Sequence, residues 1–119
     1  MDKLEFLKLQ TELTISPMDY LAQAKSGTEF MLIDVRNAPP HLKKEKIQGA
    51  IEIPLNNLAS CLEELPKDKE IVVYCWDVWC NMAKKASIIL LENHFKVREL
   101  SGGIAAWKTL GLSTEDLHN

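Results

Sequence analysis

Ile71-Val72-Val73-Tyr74-Cys75-Trp76-Asp77-Val78-Trp79-Cys80-Asn81-Met82-Ala83-Lys84-Lys85-Ala86 is the stretch on which the reading of this chain turns. Its opening residues form a short apolar run rich in β-branched side chains. A run of that kind, without polar alternation, predicts a strand covered on both faces, as inside a parallel sheet. From Met82 onward the period changes: Met82, Ala86, Ile89 and Leu90 recur at helical spacing. Between strand and helix lies a loop opened by Cys75 and closed by Cys80. A side chain at the carboxyl end of a parallel strand, facing a helix amino terminus, occupies the place where open α/β sheets bind ligands. The free N–H groups of a first helical turn favour an anion there. A thiolate or a persulfide is such an anion, so the local design suits a reactive sulfur.

Working outward, residues 30–35 read as a further buried strand, and residues 49–53 as a third strand, stopped by Pro54. Residues 13–15 are a short strand candidate and residues 95–100 a fifth strand. Ser16-Pro17-Met18-Asp19 is a helix start, with Ser as cap, Pro in the first turn and an acid three places on. Gly27 supplies the left-handed stop. Leu55, Leu58, Ala59 and Leu62 recur at helical spacing, and Gly102-Gly103 opens a last helix through Trp107 and Leu110. Residues 41–47 read as charged and exposed, with at most one helical turn. The domain organisation expected is an arm or short helix over 1–13, with Leu4, Phe6 and Leu7 turned inward. A single domain over 14–112 and a frayed tail over 113–119 follow. Alternating strands and helices predict a doubly wound, three-layer α/β fold with a five-stranded parallel sheet.

The chain has 119 residues, 46% apolar and 26% charged, with a net charge of −3. That is a single globular domain with a real core. A net negative charge makes no electrostatic case for nucleic acid or for an anionic membrane surface. No apolar run approaches the roughly 18 residues of a membrane span. The first residues mix both charges and lack an apolar signal core, and three cysteines fit a reducing compartment, so the expected location is cytoplasmic. His41, His94 and His118 share no spacing with the cysteines that would hold a metal. Gly102-Gly103 lacks the third glycine of a dinucleotide fingerprint and does not follow the first strand of a βαβ unit. No cofactor is therefore expected.

Cys75 is the candidate nucleophile, because a thiolate at a helix amino terminus is stabilised and more abundant at neutral pH. The plainer alternative is a buried, inert cysteine at a strand end. Cys80 has two readings: a thiol that resolves Cys75 or relays its sulfur, or a small residue packing the loop. Asp77 opposes an anion if its carboxylate points inward; it is expected to face water or to hydrogen-bond within the loop. Trp76 and Trp79 either line an apolar mouth for a partner or pack the loop on the core. Arg36, at the exit of the strand ending near Asp34, either attracts an anionic donor or ties loops together. Cys61 lies on an apolar helical pattern and reads as core.

Taken together, the pieces resemble the rhodanese-like (sulfurtransferase) family. The matching segments are Leu32-Ile33-Asp34-Val35-Arg36, Ile47-Gln48-Gly49-Ala50-Ile51-Glu52-Ile53-Pro54, Val72-Val73-Tyr74-Cys75 and Leu100-Ser101-Gly102-Gly103-Ile104-Ala105-Ala106-Trp107, in order over roughly 14–112. The resemblance implies a persulfide enzyme. Cys75 would take sulfane sulfur from a small-molecule or protein donor and pass it to a thiol or cyanide-like acceptor. Trp76, Asp77, Val78, Trp79, Cys80, Asn81 and Arg36 would contact the substrate. The alternative is a non-catalytic module of the same fold that binds a partner through the Trp76 and Trp79 loop. The chain departs from the family pattern at Asp77, Val78 and Trp79, where a glycine and a nearby arginine are usual. Glu45-Lys46 replace Gly-His, and His94 replaces a glycine that ends the helix. Phosphatases and arsenate reductases have a longer cysteine loop ending in Arg. Here Asn81 stands in that place, with no planar cation to clamp an oxyanion.

Overall fold

The computed structural model describes residues Met1 to His118; the last residue of the tail, Asn119, lies outside the described residues. In chain order the elements are α1 (Lys3–Leu13), β1 (Thr14–Ile15), α2 (Pro17–Lys25), β2 (Phe30–Asp34), β3 (Glu45–Ile47), β4 (Ile51–Glu52) and α3 (Leu55–Leu58). They continue through a 3-10 turn (Leu62–Glu64), β5 (Glu70–Tyr74), α4 (Met82–Glu92), β6 (Val97–Leu100), α5 (Gly103–Thr109) and β7 (Thr114–Asp116). The expected fold is observed: β1-β6-β5-β2-β4 form a five-stranded sheet in which every pair is parallel.

β5 is the central strand, and Ile71, Val72, Val73 and Tyr74 are fully buried. Strand alternation divides their side chains between two cores. Ile71, Val73 and Cys75 join Leu58 of α3 and Ala83, Ala86 and Leu90 of α4 on one face. Val72 and Tyr74 join Ile104 and Trp107 of α5 on the other, with Tyr20 and Leu21 of α2 and Trp76 packed beside them. The unbroken apolar run of β5 follows from this double covering. Small Ala83 and Ala86 let α4 lie close over the sheet.

Local signals act as the sequence indicates. Ser16 Oγ accepts from Asp19 N–H at 3.1 Å, with Pro17 in the first turn of α2. Gly27 is left-handed at φ 105°, and His94 after α4 takes φ 66°, the conformation that a glycine would adopt more easily.

Three expectations differ. Residues 41–47 are not a solvated turn, because β3 pairs antiparallel with β7, so part of the supposed tail is an ordered strand. Ile47 is fully buried, and Lys43 lies buried with its ammonium 2.7 Å from Glu52. The pairing joins a mid-chain segment to one near the carboxyl end, far apart in sequence, so no local pattern announces it. Residues 3–13 do form a helix, capped by Asp2, but it buries no residue: Leu4, Phe6 and Leu7 are exposed rather than turned inward. The helix expected from Leu55 to Leu62 is shorter, a single turn followed by the 3-10 turn.

Candidate active site

Cys75 directly follows β5 and is only 2% exposed. Its side chain falls on the α4 face, where Cys80 and Met82 pack beside it. α4 begins at Met82 with no side chain capping its first turn, so its orphan N–H groups remain available at the loop. Within the loop, Asp77 organises the turn: Trp79 N–H donates to its Oδ1 at 3.0 Å and Cys80 N–H to its backbone oxygen at 3.3 Å. This is the loop-bonded role expected of Asp77. The N–H groups of Asp77, Val78, Asn81 and Met82 find no acceptor among the described residues. They are the donors from which an anion nest can be made.

Cys75 and Cys80 are joined as a disulfide, with Cα atoms 6.4 Å apart. Of the two readings of Cys80, the loop therefore brings its sulfur to Cys75. Cys61, the remaining cysteine, is a free thiol, half-buried against the α3/α4 core.

The two tryptophans separate. Trp76 lies half-buried beneath the Arg36 guanidinium, whose carbon is 4.4 Å from the ring centroid. Trp79 is 84% exposed and Val78 is 67% exposed, so the tip of the loop is an apolar knob in water. Asn81 is exposed at the start of α4.

Arg36 is 1% exposed and mainly ties loops together. Its Nε donates to both Asp34 carboxylate oxygens, at 2.9 and 3.0 Å, and its Nη2 to Asp34 Oδ2 and the Glu45 carbonyl, both at 2.6 Å. Tyr74 Oη donates to the same Asp34 Oδ2 at 2.9 Å and accepts from Ile47 N–H at 3.0 Å. Burial, reinforced by the Asp34 charge, drives the Tyr74 hydroxyl far above the ordinary tyrosine range, so it stays a donor. A buried ion pair needs its remaining hydrogen bonds satisfied. Here they are satisfied by β3 and β5, which locks the strand end carrying Cys75 to β2 and β3. Arg36 also lines a cavity of about 350 Å³ with Lys44, Glu45, Trp76, Asp77 and Lys108. Glu45 is held below the ordinary carboxylate range by hydrogen bonds from Lys108 and Thr114.

Gly102-Gly103 acquires a role that the sequence did not show. Gly103 lies so close to the loop that a β-carbon there would sit 2.4 Å from the Cys75 carbonyl oxygen. The first N–H groups of α5 use that approach: Ile104 donates to the Cys75 carbonyl and Ala105 to the Trp76 carbonyl, each at 3.0 Å. The start of α5 therefore holds the loop from behind, while the start of α4 remains open beside the sulfur. The glycine pair was the available signal, since adjacent glycines mark close backbone approach.

The model of the rhodanese-like domain matches residues 17–110. A protein of Lactobacillus plantarum superposes with a TM-score of 0.89 at 36% identity, covering 97% of each chain. A sulfurtransferase of Allochromatium vinosum is 29% identical over 93 residues, 77% of this chain and 85% of that protein. An HTH-type transcriptional regulator of Mycobacterium tuberculosis is 35% identical over 108 residues, 85% of this chain; the chain spans about half of the regulator's length, 46%. The family match runs from α2 to α5 and takes in both helix starts that flank the cysteine loop, and on that extent of likeness the chain belongs to the rhodanese-like domain family.

Proposed function

We propose that this protein is a sulfurtransferase that carries sulfane sulfur as a persulfide on Cys75. The observation that supports this most is the position of Cys75, at the carboxyl end of the central strand and beside the uncapped start of α4. In the reduced loop the Cys75 thiolate attacks the outer sulfur of a donor persulfide. A sulfur–sulfur bond forms at Cys75, the donor's bond breaks, and the donor leaves as a thiolate. An acceptor thiolate then removes the outer sulfur and Cys75 returns as thiolate. The loop N–H groups and the dipole of α4 stabilise the anion in both states.

The donor class follows from charge. Residues 76–81 carry no cation and include Asp77. Thiosulfate, a dianion with its charge beside the reacting sulfur, therefore meets a local negative charge, whereas an organic or protein persulfide brings less charge to the loop. The exposed Val78 and Trp79 suit a protein partner, since exposed Trp anchors interfaces. That same knob supports the second reading, a partner-binding module without turnover, as does the likeness to a transcriptional regulator.

Mass spectrometry separates the two. The reduced protein, alkylated immediately after glutathione persulfide is added, should carry one extra sulfur atom on the peptide containing Cys75, and Cys75→Ser should carry none while keeping its circular dichroism spectrum. A wild-type protein that stays unmodified while still capturing a partner through Trp79 would establish the module instead.

A further inference from the structure

The Cys75–Cys80 pair does more than the transfer cycle requires, because transfer to an external acceptor needs only one cysteine. The two sulfurs are bonded to each other with β5 and α4 in place. Cys80 N–H is held to the Asp77 carbonyl, and the Cys75 carbonyl is held from the other side by Ile104 N–H. Cys80 thus reaches Cys75 from within the loop, with β5 and α4 both formed. Any persulfide formed on Cys75 has that second thiol as a standing neighbour, at the effective concentration of an intramolecular group.

We propose that Cys80 resolves the Cys75 persulfide and discharges its outer sulfur as sulfide, giving the protein a persulfide reductase activity. This rests on the Cys75 persulfide reading above. The Cys80 thiolate attacks Sγ of Cys75. The bond between the two cysteine sulfurs forms and the bond from Cys75 to the outer sulfur breaks. The outer sulfur, protonated as the persulfide's S–H or by the proton that Cys80 gives up, takes the electron pair of the broken bond and leaves as hydrosulfide, which takes a second proton according to pH. The outer sulfur is reduced, and the two cysteine thiols together are oxidised to the disulfide, so this step needs no added oxidant or reductant. Hydrosulfide is a good leaving group because its conjugate acid is more acidic than an ordinary alkyl thiol, and exchange is faster with a low-pKa leaving group. The disulfide then requires an external dithiol, which becomes a disulfide as it restores both cysteines for the next cycle. Cys61 is bonded to neither of them and lies half-buried against the α3/α4 core. Cys80 thereby sets the fate of the sulfur: a fast external acceptor receives it as sulfane sulfur, and in the absence of one it leaves as sulfide.

The test is anaerobic and uses the reduced full chain. One equivalent of glutathione persulfide is added, small molecules are removed at once, and sulfide and peptide linkage are followed. The wild type should release one sulfide per protein and end with a linked peptide pair containing Cys75 and Cys80. Cys80→Ser should hold the added sulfur on Cys75, with the adduct decaying at least about tenfold more slowly. A wild type that keeps its persulfide as long as Cys80→Ser does, without a linked peptide, overturns the inference and leaves the transfer reading standing. A wild type that takes up no sulfur, releases none and retains free thiols overturns the transfer reading and this inference with it. If Cys80→Ser does not fold, the sulfide yield and peptide linkage of the wild type decide by themselves.

Discussion

The closest backbone approach at the loop can be tested with a single methyl group. Gly103 sits at φ 60°, and a β-carbon there would meet the Cys75 carbonyl oxygen at 2.4 Å and the Trp76 carbonyl carbon at 2.9 Å. Gly111 has a comparable φ of 73° and nothing within 4 Å of the same hypothetical atom. Both alanine variants carry the left-handed penalty of an L residue, about 1–2 kcal/mol. Only Gly103→Ala also forces backbone apart, which adds about 1–3 kcal/mol by analogy with overpacked cores. The difference between the variants therefore isolates the close approach. With a urea m-value of about 2 kcal/mol/M, Gly103→Ala should unfold at a midpoint about 0.5–1.5 M below Gly111→Ala, with m unchanged. Because the displaced atoms belong to the cysteine loop, persulfide loading of Cys75 should slow in Gly103→Ala and not in Gly111→Ala. Equal midpoints and equal loading rates would refute the account of α5 as the element that holds the loop.

Asp34→Asn leaves the Arg36 guanidinium, 1% exposed, without its counter-charge, and should cost about 3–5 kcal/mol in denaturant unfolding. Adding Arg36→Met should recover part of that loss, and a loss below about 1 kcal/mol would mean that the pair does not hold the strand ends. Both tyrosines are shifted upward, Tyr20 by burial and Tyr74 by burial and the Asp34 charge. Above the unfolded value of about 10 the unfolded chain releases these protons while the folded one keeps them, so stability is intact below that pH and falls as pH rises past it. Tyrosinate absorbance should accordingly appear together with the loss of circular dichroism, and ionisation of both tyrosines in a chain that remains folded near pH 10 would contradict this. Asp77→Arg replaces the loop carboxylate with a cation and should raise thiosulfate sulfurtransferase activity by roughly tenfold or more, an effect that weakens with added salt. An unchanged rate would remove charge as the basis of donor choice.

The parts of this protein legible in its sequence are those decided within a few consecutive residues. The apolar, largely β-branched run at 71–74 suits a strand covered on both faces through its own side chains. Ser16, Pro17 and Asp19 start α2 through their own side chains, and Gly27 and His94 end helices through their own backbone angles. These local choices alternate in an order that only a parallel sheet satisfies, so Cys75 falls at a strand end facing a helix start. The tertiary structure decided what depends on residues far apart in the chain. β3 exists because β7 pairs with it, and Lys43 is buried because Glu52 is beside it. Trp76 is covered by Arg36 while Trp79, in the same loop, stands in water, and nothing in their spacing distinguishes them. α1 keeps its helical pattern but finds no surface against which to bury Leu4, Phe6 or Leu7. The encounter of Cys75 with Cys80 belongs to this second group as well. Their sequence separation permits many loop shapes, and the hydrogen bonds of Asp77 within the loop, with α5 behind it, accompany the one shape that brings the two sulfurs together.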